Sequence, residues 1–383
     1  MTTTWLPLSD PDITREELDA VAGVLQSPSL SAGPKVAEFE AAFAAYVGRA
    51  YAVAVSSGTL GLLFALRAYG IGAGDDVILS PYSWRETGHA VLLSGARPVF
   101  ADIDYWSGTL SAEKAATRIT ARTRAIVAGN TNGHPAPWAP LRALAREHGL
   151  KLIEDSTEAI GSVYQGRMVG GFGDCAVFDF SQPGAITCGE GAMVVTDDED
   201  VAVTLRRLRG RRPHERSSVV IGATEPYQAW MSDLSAALGL AQLNRIDVIL
   251  ARRKRTEHWY FQYVKSFEGI KDPYMAPEVD EVYWLLYLVH LGTRFTRSSR
   301  DAIIEDLRTE RIDAAAYCLP MHLQRRYFDL GYRRGDFFVT EKVADRVVAL
   351  PFHPHLTEEH IAFIVGTMKD SSVNIGAGTP IYL

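Results

Sequence analysis

Four titratable side chains have the types and positions to carry acid–base chemistry. Asp155 closes the apolar run of residues 152–153, Glu158 follows three residues later, and Asp179 comes further along the chain. Two carboxylates in a partly apolar cleft push one pKa upward. A pair of Asp155 with Glu158 or Asp179 would therefore supply a general acid and a general base. His134 lies in a predicted loop, where it would either carry protons or point into solvent.

A second chemical feature is the turn Ser57-Gly58-Thr59, between a predicted strand at 51–55 and a predicted helix at 60–69. Backbone N–H groups at a helix start and the helix dipole can hold a phosphate. A tight strand-to-helix turn without a ligand fits the same residues.

Composition excludes several classes of protein. The 383 residues are 47% hydrophobic and 22% charged, with a net charge of -7, so nucleic acid is not the expected main partner. Cys175, Cys188 and Cys318 show no paired spacing, which indicates a reducing compartment and no metal site. No segment resembles a signal peptide or is long enough to cross a bilayer, so we expect a cytoplasmic protein without a membrane partner.

The elements that must position these residues alternate between strand and helix. Strands are predicted at 77–80, 98–101, 125–128 and 152–153, and helices at 13–25, 36–47 and 141–148. This alternation predicts parallel strands with helices on both faces. One long helix at 229–267 is expected to link a large domain, residues 1–250, to a small C-terminal domain, residues 251–383. The tail at 371–383 is expected to be mobile or a crossing arm.

Several motifs together resemble the DegT/DnrJ/EryC1/StrS family of sugar aminotransferases, which use pyridoxal phosphate (PLP), over residues 6–369. They are Gly33-Pro34, Ser56-Ser57-Gly58-Thr59, the run 70–78, Ile153-Glu154-Asp155, Gly171-Phe172-Gly173-Asp174 and the run 231–239. The resemblance implies the α/β architecture of fold type I: a large domain with a mixed, mostly parallel sheet flanked by helices, and a smaller C-terminal α/β domain. It also implies a homodimer with active sites at the interface.

One residue of the family pattern is missing. The family carries a lysine five residues before the turn Gly189-Glu190-Gly191, and that lysine forms a Schiff base with PLP; here the position is Gly184. Glycine has no amine and cannot do so. No lysine occurs between Lys151 and Lys254, so ordinary transamination is expected to be absent.

Other positions match the family's cofactor site. Asp155 matches the aspartate that pairs with the pyridine nitrogen, and Trp84 matches the aromatic residue on the ring, although packing alone also fits a tryptophan. We expect the former phosphate and ring site, or a substrate pocket, to be formed by these residues: Ser57, Gly58, Thr59, Trp84, Asn130, Ser181, Gly184 and Gln228. Tyr82, Arg85 and His322 are further candidates for the pocket wall.

The remaining departures change charge. Asp179 stands where the family has a phosphate-binding serine, and Glu158 replaces a polar residue near the cofactor's 3′-oxygen. Gln228 replaces an asparagine that reaches the phosphate from the neighbouring subunit, and Trp230 replaces an arginine. Added carboxylates repel a phosphate. We therefore expect no cofactor, the alternative being non-covalently bound PLP or pyridoxamine phosphate (PMP).

Three functions are compatible with this pattern. The first is PLP-independent acid–base chemistry on a small metabolite in sugar or natural-product biosynthesis. The second is PMP-dependent dehydration of a nucleotide-linked 4-keto-6-deoxysugar, with His134, His322 or a carboxylate as proton acceptor. The third is a non-catalytic subunit that pairs with an active homologue.

Overall fold

A computed structural model describes residues 5–210, 226–265 and 270–377. Its strands are β1 (Tyr51–Val55), β2 (Asp76–Leu79), β3 (Arg97–Phe100), β4 (Thr123–Gly129), β5 (Lys151–Asp155), β6 (Val163–Tyr164), β7 (Arg167–Met168), β8 (Cys175–Asp179), β9 (Ala192–Thr196), β10 (Ile270–Lys271), β11 (Val279–Glu281), β12 (Tyr287–Leu291), β13 (Ala315–Ala316) and β14 (Val347–Leu350). Its helices are α1 (Arg15–Leu25), α2 (Pro34–Val47), α3 (Gly58–Ala68), α4 (Arg85–Ser94), α5 (Ala112–Ala116), α6 (Trp138–Glu147), α7 (Glu199–Arg209), α8 (Asp233–Asn244), α9 (Ile246–Val264), α10 (Arg297–Thr309), α11 (Arg325–Phe328), α12 (Phe338–Ala344) and α13 (Glu358–Ala377).

A seven-stranded sheet carries the fold, in the order β1-β9-β8-β5-β4-β2-β3. Five neighbouring strands of this sheet, β3, β2, β4, β5 and β8, run parallel to one another. Strand β9 pairs antiparallel with both β8 and β1. The prediction of a mixed, mostly parallel sheet flanked by helices is confirmed. A four-stranded antiparallel sheet, β10-β12-β14-β13, is built from the C-terminal part of the chain.

Helices cover both faces of the large sheet because side chains alternate along each strand. On β1, Val53 and Val55 pack into one core with α3, α4 and α7, whereas Ala52 and Ala54 pack into another with α2 and α8. Burying one large apolar side chain stabilises a fold by about 1.5–3 kcal/mol. These two cores hold the carboxyl ends of β5 and β8 side by side.

Helix α2 is capped from a distant part of the chain. Its N-cap, Gly33, has no side chain, and fully buried Asp233 takes over: its Oδ2 accepts from the Gly33 N–H at 2.7 Å and its Oδ1 from the Val36 N–H at 3.1 Å. A Cβ at Gly33 would overlap Asp233 and Ser29. Asp233 thus satisfies two N–H groups that the helix itself leaves without a partner.

Two predicted segments differ from the structure. The single helix at 229–267 is two helices, α8 and α9, bent by 67° at Arg245, which forms ion pairs with Asp12 and Glu17; residue 267 lies outside the described ranges. The tail begins as a helix, because α13 continues to Ala377, and residues 378–383 lie outside the described ranges.

Within residues 5–210, 226–265 and 270–377, no individual helix combines the length and apolar composition that crossing a membrane requires; the bent pair α8–α9 meets these criteria only when both helices are counted together.

Candidate active site

A cavity of about 770 Å³ opens where β5, β8 and the N-terminal ends of α3 and α4 meet. A volume of this size suits a small-molecule ligand. Its wall is formed by Gly58, Thr59, Leu62, Ser83, Trp84, Arg85, Glu86, Thr87, Asp155, Thr157, Val177, Asp179, Ser181, Gln182, Pro183, Ala316, Cys318, Leu319, Leu323, Gln324 and Arg325. Among the residues that the structure describes, no lysine lines this cavity.

Asp155 ends β5 at the cavity wall. Its Oδ2 accepts from the Thr87 hydroxyl at 3.1 Å, and its Oδ1 accepts from the Thr157 N–H at 3.3 Å. Burial raises the pKa of Asp155, the bonds from Thr157 and Thr87 oppose the rise, and the nearby charge of Asp179 adds to it. Asp155 is therefore a fixed carboxyl group that faces the cavity.

Asp179 ends β8, the strand next to β5, and also lines the cavity. Its Oδ2 accepts from the Gly58 N–H at 2.5 Å, and its Oδ1 accepts from the N–H of Ser181 at 2.7 Å and from the Ser181 hydroxyl. A Cβ at residue 58 would lie 2.6 Å from Asp179 Oδ2, so only glycine permits this approach. Ser57, the N-cap of α3, accepts from the Leu60 N–H at 3.3 Å and is not in the cavity wall.

Glu158 is buried beside Trp84 rather than in the cavity wall. Its Oε1 accepts from the Trp84 indole N–H, and its Oε2 accepts from the Tyr317 hydroxyl and the Asn132 N–H, both at 2.5 Å. Burial raises the pKa of Glu158 to about 7, against the effect of these three bonds. Glu158 thus fixes the indole of Trp84, which is 36% exposed and lines the cavity.

His134 lies outside the cavity and is buried, with 3% of its surface exposed. Its Nε2 accepts from the Ala276 N–H at 3.1 Å, so Nδ1 carries the hydrogen and donates to the Pro135 carbonyl at 2.8 Å. Burial lowers the pKa of His134. Of the two predicted alternatives for His134, the one that points it into solvent is wrong because the side chain is buried; for the other, neither ring nitrogen is available to a ligand in the cavity.

Asn130 is likewise absent from the cavity wall. Its Nδ2 donates to Glu154 Oε1 and to the Ser156 hydroxyl, and its Oδ1 accepts from the Ala136 N–H and the Trp138 indole N–H. All its side-chain hydrogen-bonding groups are used inside the protein, so Asn130 has none left for the expected contact with a ligand in the cavity. Fully buried Glu154 also accepts three backbone N–H groups, those of Gly170, Phe172 and Gly173.

Gly184 follows the cavity-lining segment 181–183 but is not in the wall itself. A Cβ at residue 184 would lie 2.8 Å from the Ile186 carbonyl oxygen, so this loop has no room for a side chain without moving. Gln228 is exposed and outside the cavity of its own chain.

Two further wall candidates, Tyr82 and His322, are not among the residues that line the cavity. The Tyr82 hydroxyl donates to the Tyr317 carbonyl at 2.7 Å, and His322 is fully buried with its Nε2 3.0 Å from Glu341 Oε1. Arg85 does line the cavity.

Sequence reasoning missed several wall residues. Thr157 follows Asp155 by two residues, the spacing at which an aspartate accepts from the backbone, and Thr87 lies one turn after Trp84 at the start of α4. Those spacings could have identified them. Nothing in the sequence marks Cys318 or Arg325 as neighbours of β5.

Comparison with known proteins identifies relatives over nearly the whole chain. GDP-perosamine synthase of Caulobacter vibrioides is 35% identical over 367 residues, which are 95% of this chain and 97% of that protein. The spore coat polysaccharide biosynthesis protein SpsC of Bacillus subtilis is 34% identical over 377 residues, 96% and 97% of the two chains. PseC of Helicobacter pylori, an aminotransferase of pseudoaminic acid biosynthesis, superposes with a TM-score of 0.89 at 25% identity, over 97% of this chain and 100% of that one.

These relatives correct one expectation. They include the aminotransferase PseC. A further fold neighbour, a putative sugar aminotransferase of Streptococcus pneumoniae (TM-score 0.91, 24% identity, covering 97% of this chain and 100% of that one for the PLP form), is solved in PLP and PMP forms. The model of an aminotransferase family also matches most of the chain, so the expectation of no cofactor is wrong, and the findings point to a cofactor of the PLP type.

The model of the DegT/DnrJ/EryC1/StrS aminotransferase family matches residues 11–369. With the fold and the curated relatives, this match shows that the chain belongs to the DegT/DnrJ/EryC1/StrS aminotransferase family.

Proposed function

We propose that this chain is a sugar-modifying enzyme that uses the PMP form of the cofactor, does not attach it to a lysine, and removes water from a nucleotide-linked keto sugar. The observation that carries the proposal is the cavity itself. It retains the carboxyl group of Asp155 at the end of β5, yet its described wall contains no lysine, and residue 184 has no space for a side chain.

The described residues fit the ring end of such a cofactor. Asp155, held by Thr87 and Thr157, is placed to keep a pyridine nitrogen protonated, and Trp84 offers a half-exposed indole as a wall for the ring. At the phosphate end, Gly58 and Thr59 open α3, but Asp179 already accepts from the Gly58 N–H. This end of the cavity fits a phosphate once Asp179 releases the Gly58 N–H.

When bound, the cofactor supplies an amine for the sugar carbonyl and an electron sink for the bond that breaks. The chain supplies proton transfer: one carbon-bound proton is taken up, and the departing hydroxyl receives a proton and leaves as water. Of the proton acceptors considered, His134 and His322 lie outside the cavity wall. A carboxylate of the wall other than Asp155, which is assigned to the ring nitrogen, is left for this role: Asp179 or Glu86.

We further propose that a second copy of the chain completes the site. This is consistent with the exposed position of Gln228, which the resemblance places near the phosphate of a neighbouring subunit.

The test combines binding and turnover. We expect PMP to remain with the protein through gel filtration. Mass spectrometry of a 4-keto-6-deoxysugar nucleotide incubated with the complex should show that one hydroxyl group of the released sugar has been replaced by hydrogen, with one ammonia formed for each cofactor converted to its PLP form, because the water lost in the elimination is regained when the product is hydrolysed from the cofactor. Borohydride treatment with PLP should leave the segment between Lys151 and Lys254 unlabelled. Asp155→Asn is expected to lose turnover while keeping the wild-type circular dichroism spectrum. Formation of an amino sugar with glutamate as donor would show that the proposal is wrong.

A further inference from the structure

Asp179 provides a negative charge at the N-terminal end of α3. Its carboxylate accepts from the Gly58 N–H at 2.5 Å and is held from the other side by Ser181. The Ser57 hydroxyl accepts from the Leu60 N–H in the same first turn. In the described parts of the chain, Asp179 forms no salt bridge with a lysine, arginine or histidine. The anion that this helix start attracts is thus a side chain of the protein itself.

A phosphate and this carboxylate cannot share the position. Gly58 has one N–H, and Asp179 Oδ2 lies so close to residue 58 that a Cβ there would be 2.6 Å away. A phosphate placed against α3 would have to displace the carboxylate or stand beside it, and two like charges in a partly buried wall repel each other. Neutral ligand groups meet no such penalty.

We propose that Asp179 is a specificity-determining residue that competes with the cofactor's phosphate for the N-terminus of α3, so that the phosphate adds little to binding. The inference rests on the proposed function, because it presumes a pyridoxamine-type ligand in this cavity. It assigns to Asp179 the selection between phosphorylated and unphosphorylated forms of that ligand, and leaves recognition of the ring to Asp155 and Trp84.

The experiment is a two-by-two comparison of ligand and variant. Dissociation constants of PMP and of pyridoxamine, which lacks the phosphate, are measured by fluorescence titration for the wild type, Asp179→Asn and Asp179→Ser. Wild type should bind the two ligands with affinities within about threefold of each other. Each variant should bind PMP at least tenfold more tightly, a change of about 1.4 kcal/mol, with pyridoxamine unchanged. Asp19→Asn, which removes a carboxylate of an exposed ion pair outside the cavity wall, is the control and should leave both constants as in the wild type.

Three results would overturn the inference. The first is wild-type protein that binds PMP at least tenfold more tightly than pyridoxamine and does not respond to the Asp179 variants. The second is an equal gain for both ligands, which would show that Asp179 does not act on the phosphate. In both cases the proposed function stands. The third result, failure of the wild type and of all variants to bind either ligand, removes the proposed function as well. Circular dichroism verifies folding, and if Asp179→Ser does not fold, the isosteric Asp179→Asn decides.

Discussion

Glu158 should make the stability of this protein fall as pH rises, and replacing it by glutamine should remove that effect. Burial raises the pKa of the Glu158 carboxyl from its ordinary value of 4.5 to about 7. Between these values the folded protein keeps the proton and the unfolded chain releases it. The folded state therefore binds more protons than the unfolded state, and its free energy of unfolding decreases with pH across this window.

The size of the effect follows from the two pKa values. Each pKa unit corresponds to about 1.4 kcal/mol, so the whole window corresponds to about 3 kcal/mol, of which about 2 to 3 kcal/mol falls between pH 5 and pH 8. Glu158→Gln cannot titrate. Its amide oxygen still accepts from the Tyr317 hydroxyl and the Asn132 N–H, while its NH₂ group meets the Trp84 indole N–H. The variant therefore loses one hydrogen bond, and this loss lowers its free energy of unfolding by an amount that does not change with pH.

The assay is urea unfolding followed by tryptophan fluorescence at pH 5, 6, 7 and 8. The informative quantity is the free energy of unfolding of wild type minus that of Glu158→Gln, because all histidines titrate in both proteins and cancel. This difference should become about 2 to 3 kcal/mol less favourable to the wild type from pH 5 to pH 8. Glu86→Gln is the control for losing a carboxyl group. Parallel curves for wild type and Glu158→Gln would refute the assignment of a raised pKa to Glu158.

Two further predictions concern buried carboxylates. Glu154→Gln places NH₂ hydrogens against N–H donors such as that of Gly170, and should lower the free energy of unfolding, measured with urea, by about 2–4 kcal/mol. A decrease below about 0.5 kcal/mol would contradict the hydrogen bonds assigned to Glu154. Asp233→Ala leaves two N–H groups at the start of α2, including that of Gly33, without an acceptor, and should lower the free energy of unfolding by about 2–4 kcal/mol. The control Asp19→Ala breaks an exposed ion pair and should lower it by less than about 1 kcal/mol. Equal effects of the two aspartate variants would contradict the capping role.

Much of the sheet is predictable because its strands are short apolar runs that end at turns or charged residues. Asp155 and Asp179 both end such runs, and adjacent parallel strands bring their carboxyl ends to one edge of the sheet. That geometry depends only on the strand pattern, which is why these two side chains lie in the cavity wall where the sequence suggested a pair.

Positions off the strands were less predictable. Glu158 lies three residues after Asp155, but the loop turns it toward Trp84 and Tyr317, and the spacing alone does not define that direction. The burial of His134 depends on Ala276, which is 142 residues away in the sequence. The bend between α8 and α9 contains neither glycine nor proline, and its ion pairs come from residues near the N-terminus.

The cap of α2 has a consequence for how the chain acquires its structure during synthesis. The carboxylate of Asp233 is 197 residues beyond Val36, so the first turn of α2 lacks its acceptor until most of the chain has left the ribosome. The same delay affects β1, whose hydrogen-bonding partner is β9. Contacts of such long sequence separation form late, because the intervening loop must be closed first. We therefore expect nascent chains that end before residue 233 to expose the N-terminal segment to proteases, and full-length chains to protect it.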